Sequence, residues 1–254
     1  MAVPIIAWLG GKRRLAKTLL PLFPDHQCYV EPFCGAAALY FMKAPAKSEI
    51  INDINGDLIN LFRVVKHHPE ALVKEFQNAL CSRELFECLK NTPSKLLTDI
   101  QRAARFYYLQ KLAFGGRITN PTLGTATASP PRLNLNSLQK DISQAHERLK
   151  RTLIEHDDWY TVMLKYDRSH TFYYLDPPYY ELTGYGVKFD FSQYKKMADF
   201  MANCKGKVLL SLNDHPAIVE VFNDFSIDRI DIAYTVGGQT NEPRRSTELI
   251  IKNY

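Results

Sequence analysis

Asp176-Pro177-Pro178-Tyr179 joins, in four residues, a carboxylate, two rings that fix the backbone and an aromatic side chain. It follows the apolar run Phe172, Tyr173, Tyr174, Leu175 and precedes a Gly- and Tyr-rich stretch from Tyr180 to Phe191. An ionised aspartate only accepts hydrogen bonds, and the prolines hold the turn beside it, so the group suits a planar amine. The exocyclic amine of adenine or cytosine is a poor nucleophile, because its lone pair is delocalised into the ring. A site that accepts both N–H bonds, one at Asp176 and one at the Pro177 carbonyl, drives the nitrogen towards tetrahedral character and turns its lone pair to a methyl donor. Tyr179 would stack on the base. A base hidden in a duplex must first be swung out at a cost of a few kcal/mol, of which an aromatic ring recovers roughly 1–3 kcal/mol. The same tetrapeptide has a plainer use, as a strand end whose Asp176 caps the next segment and whose Tyr179 packs.

Two further motifs bear on the choice. The run from Tyr29 through Glu31-Pro32-Phe33-Cys34-Gly35-Ala36-Ala37 to Leu39 reads as a short apolar strand, a turn of small residues and an apolar helix ending near Lys43. Small side chains admit a ligand to the backbone, and the helix start offers free N–H groups to a carboxylate. About 20 residues further on, Ile50-Ile51-Asn52-Asp53-Ile54-Asn55 ends a second strand on an acidic residue, where nucleoside-binding α/β folds take ribose hydroxyls. Asp53 has that role here, or else it caps the helix beginning near Asp57. No G-x-G-x-x-G is present, which speaks against a nicotinamide or flavin enzyme. Gly10-Gly11-Lys12 likewise lacks the spacing and the Ser/Thr of a phosphate loop. Val3 to Leu9 reads as a buried strand leading into a solvated basic turn at Lys12-Arg13-Arg14; it is too short for a membrane span and carries no signal-peptide pattern.

These residues need a sheet to present them. Strands are expected at Cys28 to Glu31 and Ser48 to Asn52, the start of a βαβ series. Gly56 to Arg151 then reads as almost wholly helical, with helices over Asp57 to His68, Pro69 to Leu80, Ser82 to Lys90, Ser94 to Phe114 and Ser137 to Lys150. Alternation resumes with strands at Leu153 to Glu155, Thr171 to Leu175, Lys207 to Leu212, Ile227 to Ala233 and Glu248 to Lys252. The expectation is a catalytic and cofactor-binding domain formed by 1–56 and 152–254, interrupted by a helical recognition subdomain at 57–151.

Within the insert, Arg117 to Arg132 is too long and too poor in apolar residues for a simple connection. Such a loop suits entry into a groove, where Arg117 or Arg132 reads guanine and Asn120 reads adenine; a flexible solvated loop fits the same composition. Lys140, Arg148, Lys150 and Arg151 share a helical pattern with Asp141 and Glu147 and read as a solvated face. Arg244 and Arg245, beyond Gly237-Gly238, are phosphate-contact candidates. Gly184 and Gly186 would free a loop whose Tyr185 supplies a further ring for the vacated stack. His156-Asp157-Asp158-Trp159 ends a strand where such folds often hold a nucleoside base, and position alone recommends it.

A chain of 254 residues with 46% hydrophobic and 23% charged residues is long enough for a large core and falls in the globular range. The net charge of +5 permits a polyanionic partner without demanding one. Five cysteines without C-x-x-C spacing read as reduced packing residues of a cytoplasmic protein. The seven histidines form no ligand pattern, so no metal is expected, and no segment specifies an oligomeric state.

The motifs stand in the order of the Dam-like class of adenine-N6 DNA methyltransferases, which use S-adenosyl-L-methionine, and the chain resembles that class over almost its whole length. The resemblance rests on Trp8-Leu9-Gly10-Gly11-Lys12, Glu31-Pro32-Phe33-Cys34-Gly35, Asn52-Asp53-Ile54-Asn55 and Asp176-Pro177-Pro178-Tyr179. It extends to Tyr185 and Phe189, to Leu210-Ser211-Leu212-Asn213-Asp214 and to the closing Glu248-Leu249-Ile250-Ile251-Lys252-Asn253-Tyr254. It implies an α/β fold, a Rossmann-like methyltransferase sheet with an inserted, mainly helical target-recognition subdomain, acting on double-stranded DNA. It further implies that Trp8 and Lys12 help to hold the cofactor, that Phe33 and Gly35 line its pocket, that Asp53 takes the ribose, and that Asp176 faces both cofactor and base. In the GATC-specific enzymes of the class a base-reading hairpin follows a helix ending in Asn-Gly. Here Ala113-Phe114-Gly115-Gly116-Arg117 and the Thr/Ala/Ser/Pro-rich stretch after it depart from that pattern, so GATC is not implied. Rival readings are a cytosine-N4 or RNA amino methyltransferase, where Ser or Asn more often opens the tetrad, and a DNA-binding module that has lost catalysis. Asp176 favours adenine.

Overall fold

The computed structural model describes residues 3–125, 127–128, 130–182, 188–234 and 244–254. Seven strands, β1 (Cys28–Glu31), β2 (Ser48–Asn52), β3 (Leu153–Glu155), β4 (Thr171–Leu175), β5 (Lys207–Asn213), β6 (Ser226–Tyr234) and β7 (Arg244–Lys252), form one sheet in the order β3-β2-β1-β4-β5-β7-β6. The first five run parallel, and β7 lies antiparallel between β5 and β6. The helices are α1 (Ala16–Leu19), α2 (Ala38–Met42), α3 (Gly56–His67), α4 (Pro69–Lys74), α5 (Arg83–Asn91), α6 (Asp99–Leu112), α7 (Leu135–Leu149), α8 (Trp159–Tyr166), α9 (Phe191–Asn203) and α10 (Pro216–Val221).

All five residues of β4 are buried, because helices cover both faces of the sheet and leave no strand residue a polar side to face. Side chains alternate between those faces. Tyr29, Ile51, Phe172 and Tyr174 join the core formed with α2, α3, α6 and α7, whereas Val30, Ile50, Tyr173 and Leu175 join the one formed with α8 and α9. Helices α3 to α7 thus lie between β2 and β3 in the chain and share a buried core with the sheet, α3 packing on α6 and α7. Two caps set helix starts near the site. The Asn55 side chain accepts from the Asp57 and Leu58 amides at the start of α3, and Thr98 with Gln101 forms a capping box at the start of α6.

Three sequence expectations are corrected. Val3 to Leu9 is not a strand: Ile5 and Ile6 are buried, but the Ala7 carbonyl accepts from Gln110 Nε2 (3.3 Å) and the Trp8 carbonyl from the Gly11 amide (3.1 Å). Its backbone is satisfied by a side chain and a turn, and no ladder forms. Lys12, expected in solvent, is only 4% exposed, drawn in by a carboxylate described below. Arg148 does not belong to a solvated face. Its guanidinium bridges to Glu49 of β2 and stacks over the Tyr40 ring at 3.9 Å, tying α7 to the sheet. Helix ends also move, since α4 stops at Lys74 and α6 waits for the Thr98 cap. Gly184, Tyr185, Gly186, Gly237, Gly238 and the side chains of Arg244 and Arg245 lie outside the described residues.

Candidate active site

β1 is flanked by β2 on one side and β4 on the other, so the helices after β1 and β4 leave on opposite faces and a crevice opens beyond the carboxyl ends of these strands. The turn after β1 is built for close approach. Gly35 has φ +46°, and a Cβ there would lie 2.5 Å from Trp8 Nε1, so the indole packs directly on the glycine backbone. Asn52 ties the strand ends together: its Nδ2 donates to the Pro32 (2.9 Å) and Asp157 (3.0 Å) carbonyls, and its Oδ1 accepts from the Asp157 amide (2.9 Å). Asp53 follows with both carboxylate oxygens engaged, Oδ2 by the Gly35 amide and Oδ1 by the Asn55 amide, each at 2.9 Å. Burial pushes the Asp53 pKa up, against the pull of these backbone donors. The helix cap is Asn55, which leaves the lone pairs of Asp53 directed at the turn.

A cleft of about 1300 Å³, counting its open mouth, fills this crevice. Trp8, Lys12, Phe33, Gly35, Asp53 and Asp176 all line it. The Phe33 ring lies 6.0 Å from Trp159 and 5.8 Å from Phe189, and Trp159 Nε1 donates to Gln193 Oε1 at 2.9 Å. Asp157, Asp158 and Trp159 also line the cleft, so the segment recommended by position alone does border the site.

At the opposite wall, Lys12 Nζ binds Asp176 Oδ1 at 2.6 Å and the Gly10 carbonyl at 3.0 Å. Ser211 Oγ reaches the same Oδ1 at 3.2 Å. Burial raises the Asp176 pKa to about 6, with Lys12 opposing and Glu248 reinforcing the shift. Glu31, 2% exposed and accepting from the Tyr29 hydroxyl at 2.8 Å, is pushed to about 8, chiefly by burial and also by the charge of Asp176. Glu31 is therefore protonated at neutral pH, and Asp176 is largely ionised. Pro177 and Tyr179 do not line the cleft. Tyr179 is 9% exposed, with Lys12 Nζ 4.7 Å above its ring, and the Pro178 carbonyl accepts from the Tyr194 hydroxyl at 2.7 Å.

Arg117, Asn120 and Arg132 are exposed and stand apart from the cleft. The loop that carries Arg117 and Asn120 is pinned at its base by the Ala113–Leu123 bridge, in which the Phe114 amide donates to the Thr122 carbonyl at 2.8 Å and the Gly124 amide to the Leu112 carbonyl at 3.1 Å; Arg132 lies beyond it. Gly116, at φ +68°, approaches the Trp8 backbone so closely that a Cβ would sit 3.0 Å from Trp8 N. Ile118 of the same loop lines the cleft, so the exposed loop and the buried site share a wall. Phe114 is 52% exposed at the start of the loop, an aromatic face offered to solvent.

The family model of the D12 class N6 adenine-specific DNA methyltransferases matches residues 8–236, from Trp8 past the antiparallel strand β6. The chain belongs to that family. Similar proteins include the Type II methyltransferase M1.LlaDCHI of Lactococcus lactis subsp. cremoris, 28% identical over 99% of this chain and 95% of that protein. The Type II methyltransferase M.CviBI of Paramecium bursaria Chlorella virus NC1A is 26% identical over 99% of each chain. A DNA adenine methylase of Haemophilus influenzae is 25% identical over 97% of this chain and 92% of that one. The sheet of this methyltransferase is the Rossmann-like one its family implies, and its enzymatic class is adenine-specific DNA methylation.

Several residues of the site escaped the sequence reading. Glu31 and Ser211 stood inside quoted motifs without a role of their own; Gln193 and Ile118 were given none, and they meet the site through the start of α9 and the fold of the loop. The signal available for Ser211 was a lone hydroxyl within the apolar run Val208 to Leu212. Among the described residues no helix is long and apolar enough to cross a membrane, and no group of His, Cys, Asp and Glu could hold a metal ion.

Proposed function

We propose that this methyltransferase transfers the methyl group of S-adenosyl-L-methionine to N6 of an adenine swung out of double-stranded DNA. The observation that carries the reading is the single cleft shared by Asp176, Asp53 and Gly35. Its residues fit the cofactor. Gly35 lets the Trp8 indole pack on its backbone at the cleft wall, Phe33 and Trp159 offer aromatic surface for an adenine ring, and Asp53 keeps acceptor capacity for ribose hydroxyls beyond its two amide bonds. Lys12 would hold the anionic end of the amino-acid moiety, and the bound cofactor supplies an electrophilic methyl group.

The protein's part is positioning. Lys12 and Ser211 both hold Asp176 Oδ1, which directs Oδ2 to accept one N6–H, while the Pro177 carbonyl accepts the other. Methylation leaves the nitrogen with a proton to lose, and a carboxylate with a pKa raised to about 6 is a suitable acceptor at neutral pH. Tyr179, buried beside the cleft and not lining it, is the ring of the tetrad that would meet the base. Residues 1–56 and 152–254 form the catalytic and cofactor-binding part, and 57–151 the target-recognition part, with exposed Arg117, Asn120 and Arg132 as base or phosphate contacts. The Type II names of two relatives support a place in restriction-modification, and reduced cysteines and a DNA substrate support a cytoplasmic protein.

Incubation with duplex DNA and methyl-labelled cofactor, followed by nucleoside analysis, should place the label on N6-methyladenine. Label found only on cytosine or in RNA would remove the reading. S-adenosyl-L-methionine should also raise the melting temperature where NAD does not.

A further inference from the structure

Glu248 is 1% exposed on β7, between β5 and the edge strand β6, beside Leu249, Ile250 and Ile251 of the same strand. Burying an ion there costs several kcal/mol relative to water, whereas an aliphatic side chain would stabilise the strand. A compensating use is close by. Glu248 Oε1 is 3.9 Å from Lys12 Nζ, which in turn binds Asp176 at 2.6 Å and lies 4.7 Å above the Tyr179 ring. Burial first, then the charges of Asp176 and Glu248, push the Tyr179 hydroxyl pKa up. Lys12, the cation beside Glu248, therefore meets both ends of the Asp-Pro-Pro-Tyr turn.

We propose that Glu248 is a positioning residue of this methyltransferase: it orients Lys12 against Asp176 and over the Tyr179 ring, so that both ends of the tetrad are held through that lysine from β7. The proposal rests on the reading of Asp176 as the acceptor of the target amine. The charged and titratable groups facing Asp176 are Lys12 from the N-terminal turn, Glu31 from β1, Tyr174 from β4, Tyr179 from the tetrad and Glu248 from β7, with the Ser211 hydroxyl from β5. Lys12 is thus shared between two carboxylates, Glu31 being protonated at neutral pH. Removing the charge of Glu248 gives Lys12 wholly to Asp176, which becomes more acidic and a weaker acceptor.

Glu248→Gln should lower kcat roughly tenfold with KM for DNA little changed, the split expected when positioning in the transition state is lost. The acid limb of its kcat–pH profile should move down by about half a unit or more. Carboxyl ¹³C titration of the ligand-free protein reads the same shift at Asp176 without turnover. Glu248→Asp, which keeps the charge on a shorter arm, should hold the limb near wild type while recovering only part of kcat. An Asp176 midpoint unmoved in Glu248→Gln, or wild-type kcat in that variant, overturns the proposal. If Glu248→Gln does not fold, wild-type kcat in Glu248→Asp overturns it. Full activity in Asp176→Ala would instead sink the underlying assignment, and would leave the titration shift in place.

Discussion

The cleft and the loop from Ala113 to Leu123 are opposite solutions to holding a functional group. At the strand ends, almost every polar atom is committed: Asn52 bonds three backbone groups, Asp53 two, and Asp176 Oδ1 takes both Lys12 and Ser211. The loop is closed at its base by one antiparallel bridge of two amide bonds, Phe114 to Thr122 and Gly124 to Leu112, and its Arg117 and Asn120 are exposed. Chemistry on one amine needs acceptors held in advance, because reorganisation at the moment of reaction would raise the barrier. Reading a sequence needs reach, and the role proposed for Arg117 and Asn120 is met by exposed side chains. Rigidity is thus concentrated at the strand ends and relaxed in the loop.

Substitutions can break or sharpen this contrast. Asp176→Ala should cost roughly 10²–10³-fold or more in turnover while gel-shift affinity for DNA changes little, since phosphate contacts supply most of the binding; a near-normal rate would erase the special status of the cleft. Asp53→Ala removes the anchor of the Gly35 and Asn55 amides and should weaken cofactor binding by about ten- to a hundredfold in calorimetry, with KM for DNA nearly constant. In the loop, Arg117→Ala should relax discrimination between DNA sequences by about 1–3 kcal/mol without lowering the melting temperature. A loss of stability there would show that the loop is as tightly built as the cleft.

Smaller effects come from pH. In the proposed role Asp176 acts as the carboxylate, and its pKa is raised to about 6, so the rate should climb through that pH to a plateau and fall about tenfold by pH 5. Stability runs the other way for the raised acids. Glu31 binds its proton more tightly folded than unfolded, so its contribution is full below about pH 4.5 and is lost as the pH rises through about 8. Glu31→Gln, neutral throughout, should melt a few degrees higher than the wild type at pH 9, with the advantage gone at pH 5. Equal melting curves at pH 9 would mean that Glu31 is not held protonated by burial.

Much of the site was legible because its motifs are local. A strand, a turn and a helix within a dozen residues specify the Gly35 turn, and a carboxylate at a strand end specifies Asp53 and Asp176. Continuous apolar runs found strands such as β4, which is covered on both faces, whereas β6 was found from the alternation of Ile227, Ile230 and Ile232 with charged residues. The pattern failed for Val3 to Leu9, whose apolar residues are equally buried but whose carbonyls are taken by Gln110 and a local turn. It failed for Arg148 too, because a charge on a helical face gives no sign of whether Glu49 awaits it across the core.

The sequence by itself determined the fold class, the three strand-end motifs and the type of chemistry, because periodicity and short spacing are properties of neighbouring residues. Only the tertiary structure decided that Lys12 is buried against Asp176, that Ser211 and Glu248 stand behind the tetrad, and that Ile118 carries the exposed loop to the edge of the cleft. Those relations join residues up to 236 positions apart, as in Lys12 and Glu248, and are set by strand order and side-chain packing, which no local pattern encodes.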